Sequence, residues 1–344
     1  MKNKKMWAKI IFVIVLLAII AYTFRDLAGP ILGQLRKTSA VVLIAICISS
    51  VIYHLFEAWI TYSLAKRYNP DIKYSRTVCC AFYCSFYRLA TLGSGSGVAA
   101  IYYLGQSGVE YSKGAGLYMI QYVMHKVSIA LFSGMLFLIN WNFMVRNYSE
   151  YAVYLVLAYG LTAIISIFLI LFAVSAKFHW LLFKIGGIFN KSGKLDGVME
   201  SLRKNCDIME VSTAELLKDK KTLVTTVLKN LIKCCFWYGI PFLILFGTGG
   251  LTLFQSLAVC SLSVMTAAVI PTPAGIGSVE VIMTSLIGVV VGVHVSGAVT
   301  LLYRFATFIF PFAVGGIYVL YRRWKVKQDR QQSEMEKPSG VIKD

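Results

Sequence analysis

Six stretches of this chain, at about 6–23, 39–64, 115–140, 151–175, 223–247 and 296–320, stay apolar over roughly the 20 residues a helix needs to cross a hydrocarbon core. That pattern leaves few folds open. Backbone N–H and C=O groups find no water inside a bilayer, so a spanning segment must be a helix or part of a closed barrel. Apolar runs this long, without strict alternation, are helical. The chain is predicted to be an all-α polytopic membrane protein. Its composition agrees: 58% of 344 residues are hydrophobic, and mean hydropathy is +0.69.

Charge sets the expected topology. The net charge of +18 comes from 34 basic and 16 acidic residues. The basic residues are spread over short loops, which points to orientation and to anionic lipid rather than to nucleic acid. Lys2, Lys4 and Lys5 place the start of the first span in the cytoplasm. No small-residue cleavage site follows it, so this span is read as uncleaved. Lys66, Arg67, Lys73 and Arg76 mark the same side, as do Arg322, Arg323, Lys325 and Lys327. Both termini are therefore expected in the cytoplasm of a plasma-membrane protein. Residues 176–222 are basic and amphipathic, which suits cytoplasmic helices lying along headgroups. A membrane domain over 1–325 and a disordered cytoplasmic tail over 326–344 complete the expected layout. Eight cysteines include no CxxC pair, so neither a metal site nor a disulfide framework is expected. No Walker motif is present, and no cofactor is expected.

Two segments do not fit plain spans. Residues 77–104 are too few for two crossings of ~20 residues each. They carry Arg88 and then Leu92-Gly93-Ser94-Gly95-Ser96-Gly97, and read as a re-entrant hairpin with a glycine tip. Residues 252–292 are broken by Ile270-Pro271-Thr272-Pro273-Ala274-Gly275-Ile276-Gly277-Ser278-Val279-Glu280. Proline ends a helix, because it lacks the N–H and clashes with the preceding turn. Here re-entrance and two full spans both remain open. A helix restarting after the break presents free N–H groups and a dipole that favour an anion such as a phosphate.

The two interrupted segments look related. Gly108-Val109-Glu110-Tyr111-Ser112 follows the first, and Gly292-Val293-His294-Val295-Ser296 follows the second. Each segment lies between two full spans, in repeats of about 39–140 and 223–320, and the charge pattern orients the two repeats oppositely. Inverted repeats with interrupted helices are characteristic of transporters. About six full spans plus two re-entrant helical hairpins is the resulting expectation.

The stretch Pro271 to Glu280 is similar to the proline-glycine-glutamate motif of the lysylphosphatidylglycerol synthase transmembrane (flippase-like) family. Thr91 to Gly97, Ile101-Tyr102-Tyr103-Leu104 and Gly108-Val109 resemble that family's first-half motif, and Tyr303-Arg304 its last-helix pair. The resemblance covers roughly 7–325. The chain departs from the family pattern at Leu92, at Gly97-Val98 and at His125-Lys126. The resemblance implies a lipid-translocating membrane domain without the soluble aminoacyltransferase domain that follows it in large members. Its expected partner is an anionic or aminoacylated phospholipid, such as lysylphosphatidylglycerol, with a separate lipid synthase and a homo-oligomer as further possibilities. The alternative is a phosphatidylglycerol lysyltransferase-type enzyme or a membrane partner of one. No residue is assigned a catalytic role.

The expected site is a midplane cavity between the hairpins that admits a lipid headgroup. Gly93, Gly95 and Gly97 would form one tip, and Pro273 and Gly275 the other. Gly275, Gly277 and Ser278 would offer N–H groups to phosphate. Arg88 and Arg304 would supply charge, since guanidinium suits bidentate phosphate contacts. Glu280 would pair with Arg304 or receive a cationic headgroup; a purely structural ion pair stands equally open. Glu57, His125 and Lys126 are secondary candidates. An ionisable group within hydrocarbon costs about 2.5 to 3.5 kcal/mol on insertion scales, so His54 and Glu57 should face the bundle, most simply as structural hydrogen bonding. For His125 and Lys126 an interfacial, snorkelling pair is the plainer reading.

Overall fold

The computed structural model describes residues 31–93, 95–189, 219–248, 250–270 and 272–335, with scattered positions between 200 and 218. The expected first span at 6–23 lies outside the described residues, as does the end of the tail. Among the described residues there is no strand, and six helical stretches are long and apolar enough to cross a membrane. This is the all-α polytopic fold that the apolar pattern predicts.

The first half begins with α1 (Ala40–Ala65), capped by Ser39, whose hydroxyl accepts the Val42 N–H. Two shorter helices follow, α2 (Tyr74–Ala90) and α3 (Ser96–Gly105), and pack together as a hairpin. At ~1.5 Å per residue, their 17 and 10 residues fall short of a ~30 Å hydrocarbon core. The span α4 (Tyr111–Ile139) closes this half.

The stretch at 141–150, between the expected spans at 115–140 and 151–175, is α5 (Trp141–Tyr148) and a 3₁₀ turn over Ser149–Tyr151. Met144 and Tyr148 are its buried residues, and the Tyr148 hydroxyl donates to Leu286 O at 2.8 Å, which ties it to the second half. Next come α6 (Ala152–Val174) and α7 (Ala176–Phe189).

The second half opens with α8 (Lys220–Tyr238), capped by Asp219. It stops at Gly239 and restarts as α9 (Ile240–Ile244), because Pro241 has no N–H to return to Trp237 four residues back. The span expected over 223–247 is thus two helices. The hairpin follows, with α10 (Leu253–Ala267) and α11 (Ser278–Val291) joined through a 3₁₀ turn at Pro273–Gly275. Thr252 and Gln255 form a reciprocal capping box at the start of α10. Its 15 residues are short for a crossing, whereas Pro273–Val291 is long enough.

The last span is α12 (Val293–Arg304), a π turn at Phe305–Ile309, and α13 (Phe310–Met335). The helix therefore continues through residues 326–335, where the polar tail was expected to be disordered. Gln, Lys, Arg, Glu and Met dominate there, all good helix formers.

Packing between the halves is reciprocal. The first arm of each hairpin lies against the other half's closing span: α2 on α13, and α10 on α4. The opening helices, α1 and α8, lie on each other. At the α2–α13 crossing the approach is close enough that a Cβ on Gly315 would stand 2.2 Å from Phe82 O. One core cluster gathers α4, α8, α10, α11 and α12 around Cys260, Met283 and Tyr303. A second gathers α1 to α4 and α13 around Ile60, Tyr103 and Leu117.

Candidate functional site

The two hairpin tips meet. A Cβ built on Gly93 would stand 3.4 Å from Ala274 N and 3.5 Å from its Cα. Residues about 180 apart in sequence therefore touch backbone to backbone, and glycine permits the approach. Both tips are turned by left-handed residues: Leu92 (φ 52°) and Gly93 (φ 107°) in one, Ala274 (φ 54°) and Gly275 (φ 71°) in the other. Leu92 and Ala274 are the non-glycine residues with positive φ among those described. That conformation costs an L-residue roughly 1–2 kcal/mol, and such strain gathers at functional turns.

Behind the second tip, Glu280 and Arg304 form a buried pair. Arg304 Nε donates to Glu280 Oε1 at 2.6 Å, and its Nη2 donates to Gly275 O at 3.3 Å. The other carboxylate oxygen accepts the Gly277 N–H at 2.8 Å. The side chains are 15% and 8% exposed. The expected pairing of Glu280 with Arg304 is present. Of the N–H groups expected here for a phosphate, that of Gly277 is capped by Glu280, and that of Gly275 donates to Thr272 O at 3.1 Å. The α11 N-terminus already holds an anion, its own carboxylate. Ser278 Oγ is engaged within the loop as well, with Thr272 Oγ1 at 2.8 Å and Gly275 O at 3.3 Å.

Arg88 joins the halves one turn before the first tip. Its Nη2 donates to Thr307 O at 3.2 Å. That carbonyl lies in the π turn, four residues before Pro311, which has no N–H to give it. Arg88 Nε is buried without a hydrogen-bond partner.

A cavity of about 280 Å³ sits inside the first half, walled by α1, α2, α3 and α4. Its polar wall includes Glu57, Arg88, Gln121, His125 and Lys126. Glu57 is the one carboxylate among its lining residues. Gln121 Nε2 donates to Glu57 Oε1 at 2.6 Å, and Lys233 Nζ from α8 donates to Oε2. The Lys233 side chain is fully buried, with its ammonium 5.1 Å from the centroid of the Tyr53 ring. Burial of an unpaired ammonium would be prohibitive, so this carboxylate holds it in place.

His125 Nδ1 is buried, with Asn230 of α8 beside the ring. Lys126 has a π contact with Tyr122, 5.5 Å to the centroid. The groups with unspent hydrogen-bonding capacity around this space are thus mainly donors. With Lys233 behind Glu57, its fixed charge favours an anion.

His54 and Glu57, though three residues apart on α1, do not bond each other. His54 Nδ1 meets Ser50 O at 2.7 Å, and Nε2 meets Ser85 Oγ at 2.9 Å. A carbonyl only accepts, so Nδ1 carries the proton. His54 is a structural tie between α1 and α2.

Pairs, tips and cavity all fall within residues 6–315, the part of the chain matched by the family model for the lysylphosphatidylglycerol synthase TM region. The chain belongs to that family. No curated protein matches it.

Within this family frame, the structure sorts the expected site residues into two groups. Gly93, Pro273, Gly275, Gly277, Ser278, Glu280 and Arg304 gather at the joined tips. Arg88, Glu57, His125 and Lys126 line the cavity. Gly95 and Gly97 lie at the start of α3, packed on neighbouring side chains. A Cβ on Gly95 would strike Thr91, whose hydroxyl accepts the Gly95 N–H at 2.6 Å, and one on Gly97 would strike the Tyr118 ring.

Sequence reasoning passed over Lys233, Gln121 and Asn230. The signal for Lys233 and Asn230 was present, since both sit in the middle of a segment apolar enough to span, where a charge is functional by default. Gln121 had no such mark, because only the fold brings it to Glu57.

Proposed function

We propose that the protein translocates an anionic phospholipid between leaflets, and that the headgroup occupies the first-half cavity, with Arg88 and Lys126 facing its phosphate. Phosphatidylglycerol and its lysyl ester are the substrates the family points to. One observation carries the reading: a cavity of headgroup size, whose ionisable groups are positive in balance, lies inside an otherwise apolar bundle. An intramembrane group of this kind marks a substrate path. The reciprocal packing of the halves supports an inverted repeat, and the short arms of α2 and α3 support re-entrance. In this reading the joined tips separate the cavity from the opposite leaflet, in a plasma membrane with both chain ends cytoplasmic.

The test is reconstitution in liposomes with a fluorescent phosphatidylglycerol and a membrane-impermeant quencher. The expected result is protein-dependent loss of the protected inner pool, abolished by Arg88→Gln. A protected pool that stays intact with well-incorporated protein would refute the reading. The family's name, which describes part of a synthase, favours a second reading as that enzyme's membrane partner. Lysyl-lipid formed from charged tRNA by the purified chain would overturn the first reading in favour of an enzyme.

A further inference from the structure

We propose that Glu57, with His125 and Asn230 beside it, is a proton-binding site through which the cavity takes up one proton with each anion it binds. This rests on the headgroup reading above and adds what balances the charge.

The geometry starts at Asn230. It lies on α8 one turn before Lys233, is fully buried, and its side chain stands against His125, whose Nδ1 is also buried. Beyond that contact their polar atoms have capacity left for water. This carboxamide and imidazole stand next to the Glu57–Lys233 ion pair, at the wall of the cavity. Those are the components of a proton path.

The charges around Glu57 hold it ionised until an anion offsets them. From α8 it faces Lys233, from α4 His125, Lys126 and Gln121, and from α2 Arg88 and Cys84. Tyr53 is one turn away on α1. Neither α3 nor α9 carries a charged residue. The first charged residue of α13, Arg322, is occupied over the rings of Tyr83 and Tyr103. Glu57 thus stands alone against several cations, and its negative charge is what neutralises Lys233.

A phosphodiester entering the cavity competes for the same positive field. A proton drawn from bulk solution passes by way of His125 Nδ1 to Glu57, and the imidazole returns to neutral. The carboxylate becomes a neutral acid. Lys233 keeps its ammonium, and the phosphodiester supplies the counter-charge. One positive and one negative charge have entered, so the net charge of the site is unchanged. Linkage makes the effect reciprocal: bound anion strengthens proton binding, and protonation strengthens anion binding by the same factor.

The experiment uses the full chain in detergent and a short-chain, water-soluble phosphatidylglycerol in weak buffer with a pH indicator. The expected result is uptake of one proton per lipid bound, lost in Glu57→Gln. Because that variant strands Lys233, the double variant Glu57→Gln/Lys233→Gln serves as the folded comparison and should also take up none. Binding without proton uptake by the unaltered protein overturns the inference and leaves the headgroup reading standing. No binding at all overturns both the headgroup reading and the coupling. Infrared difference spectra of the lipid-free protein between alkaline and acid pH then judge the proton site alone. A carboxylic-acid band that vanishes in Glu57→Gln supports it, and the lack of such a band refutes it.

Discussion

Replacing Glu280 with Gln should loosen the second tip far more than one lost hydrogen bond implies. The glutamine can still accept the Gly277 N–H, and Arg304 can still reach Gly275 O. What disappears is the negative charge beside a guanidinium whose side chain is 8% exposed. Breaking a buried pair by removing one partner costs about 3–5 kcal/mol, because the other charge is left uncompensated. Arg304→Gln leaves the carboxylate in the same position. The double variant Glu280→Gln/Arg304→Gln removes both charges, and two amides can bond each other. Its loss should therefore fall short of the summed single losses by about 2 kcal/mol or more. At roughly 2 °C per kcal/mol, each single variant should unfold about 6–10 °C below the unaltered protein. Thermal unfolding in detergent, followed by intrinsic fluorescence, gives all four corners of the cycle. Glu280→Gln unfolding within a degree of the unaltered protein would refute the argument. The double variant also separates scaffold from function. Normal lipid translocation by it would make the pair purely structural; a stable but inactive protein would give the pair a part in transport.

Three further outcomes follow from the packing. Gly315→Ala should destabilise by about 1–3 kcal/mol or more, because its Cβ would sit 2.2 Å from Phe82 O. Gly316→Ala should be tolerated, since its nearest contact is a Phe86 ring carbon at 3.4 Å; equal thermal shifts would count against the close α2–α13 crossing. Ala274→Gly should raise stability by up to about 1 kcal/mol by relieving positive φ, whereas Ala268→Gly, with φ −68°, should lower it. The same sign at both sites in urea or thermal melts would contradict the strained tip. Cys84 lines the cavity and Cys260 is fully buried in the second half. Peptide mapping should show Cys84 alkylated and Cys260 protected at rest, with short-chain phosphatidylglycerol raising Cys260 labelling; Cys260 protected throughout would argue against alternating access.

Much of this arrangement was legible because the bilayer allows so few solutions. Apolar length marked the spans, and a segment too short for two crossings marked the first hairpin. The Glu280–Arg304 pair was foreseeable because neither charge is tolerable alone in that setting. Legibility failed where the outcome depended on the partner helix. His54 and Glu57 share a helical face, yet each found its partner on a different neighbour, Ser85 on α2 and Lys233 on α8. At the α11 N-terminus, where a phosphate was expected, Glu280 falls at the third position of the helix and its carboxylate reaches back to Gly277. The tip-to-tip contact spans about 180 residues, and the local pattern at Gly93 carries no trace of it.

The two halves use the same device to different ends. Each buries one carboxylate against one cation: Glu57 with Lys233, and Glu280 with Arg304. In the second half the pair is folded into its own loop, with the remaining oxygen and nitrogen spent on Gly277 and Gly275. In the first half the pair stands at the wall of a cavity, and Arg88, His125 and Lys126 share that wall. Under the proposed translocation, an inverted repeat held in a single state has to be unequal in this way, because a half open to substrate cannot also be sealed. For the second half to open, Arg304 must release Gly275 while keeping Glu280, since the carboxylate is the one group that makes its burial tolerable. The weaker of its two contacts, at 3.3 Å to a carbonyl against 2.6 Å to the carboxylate, is the one placed where the tip has to move.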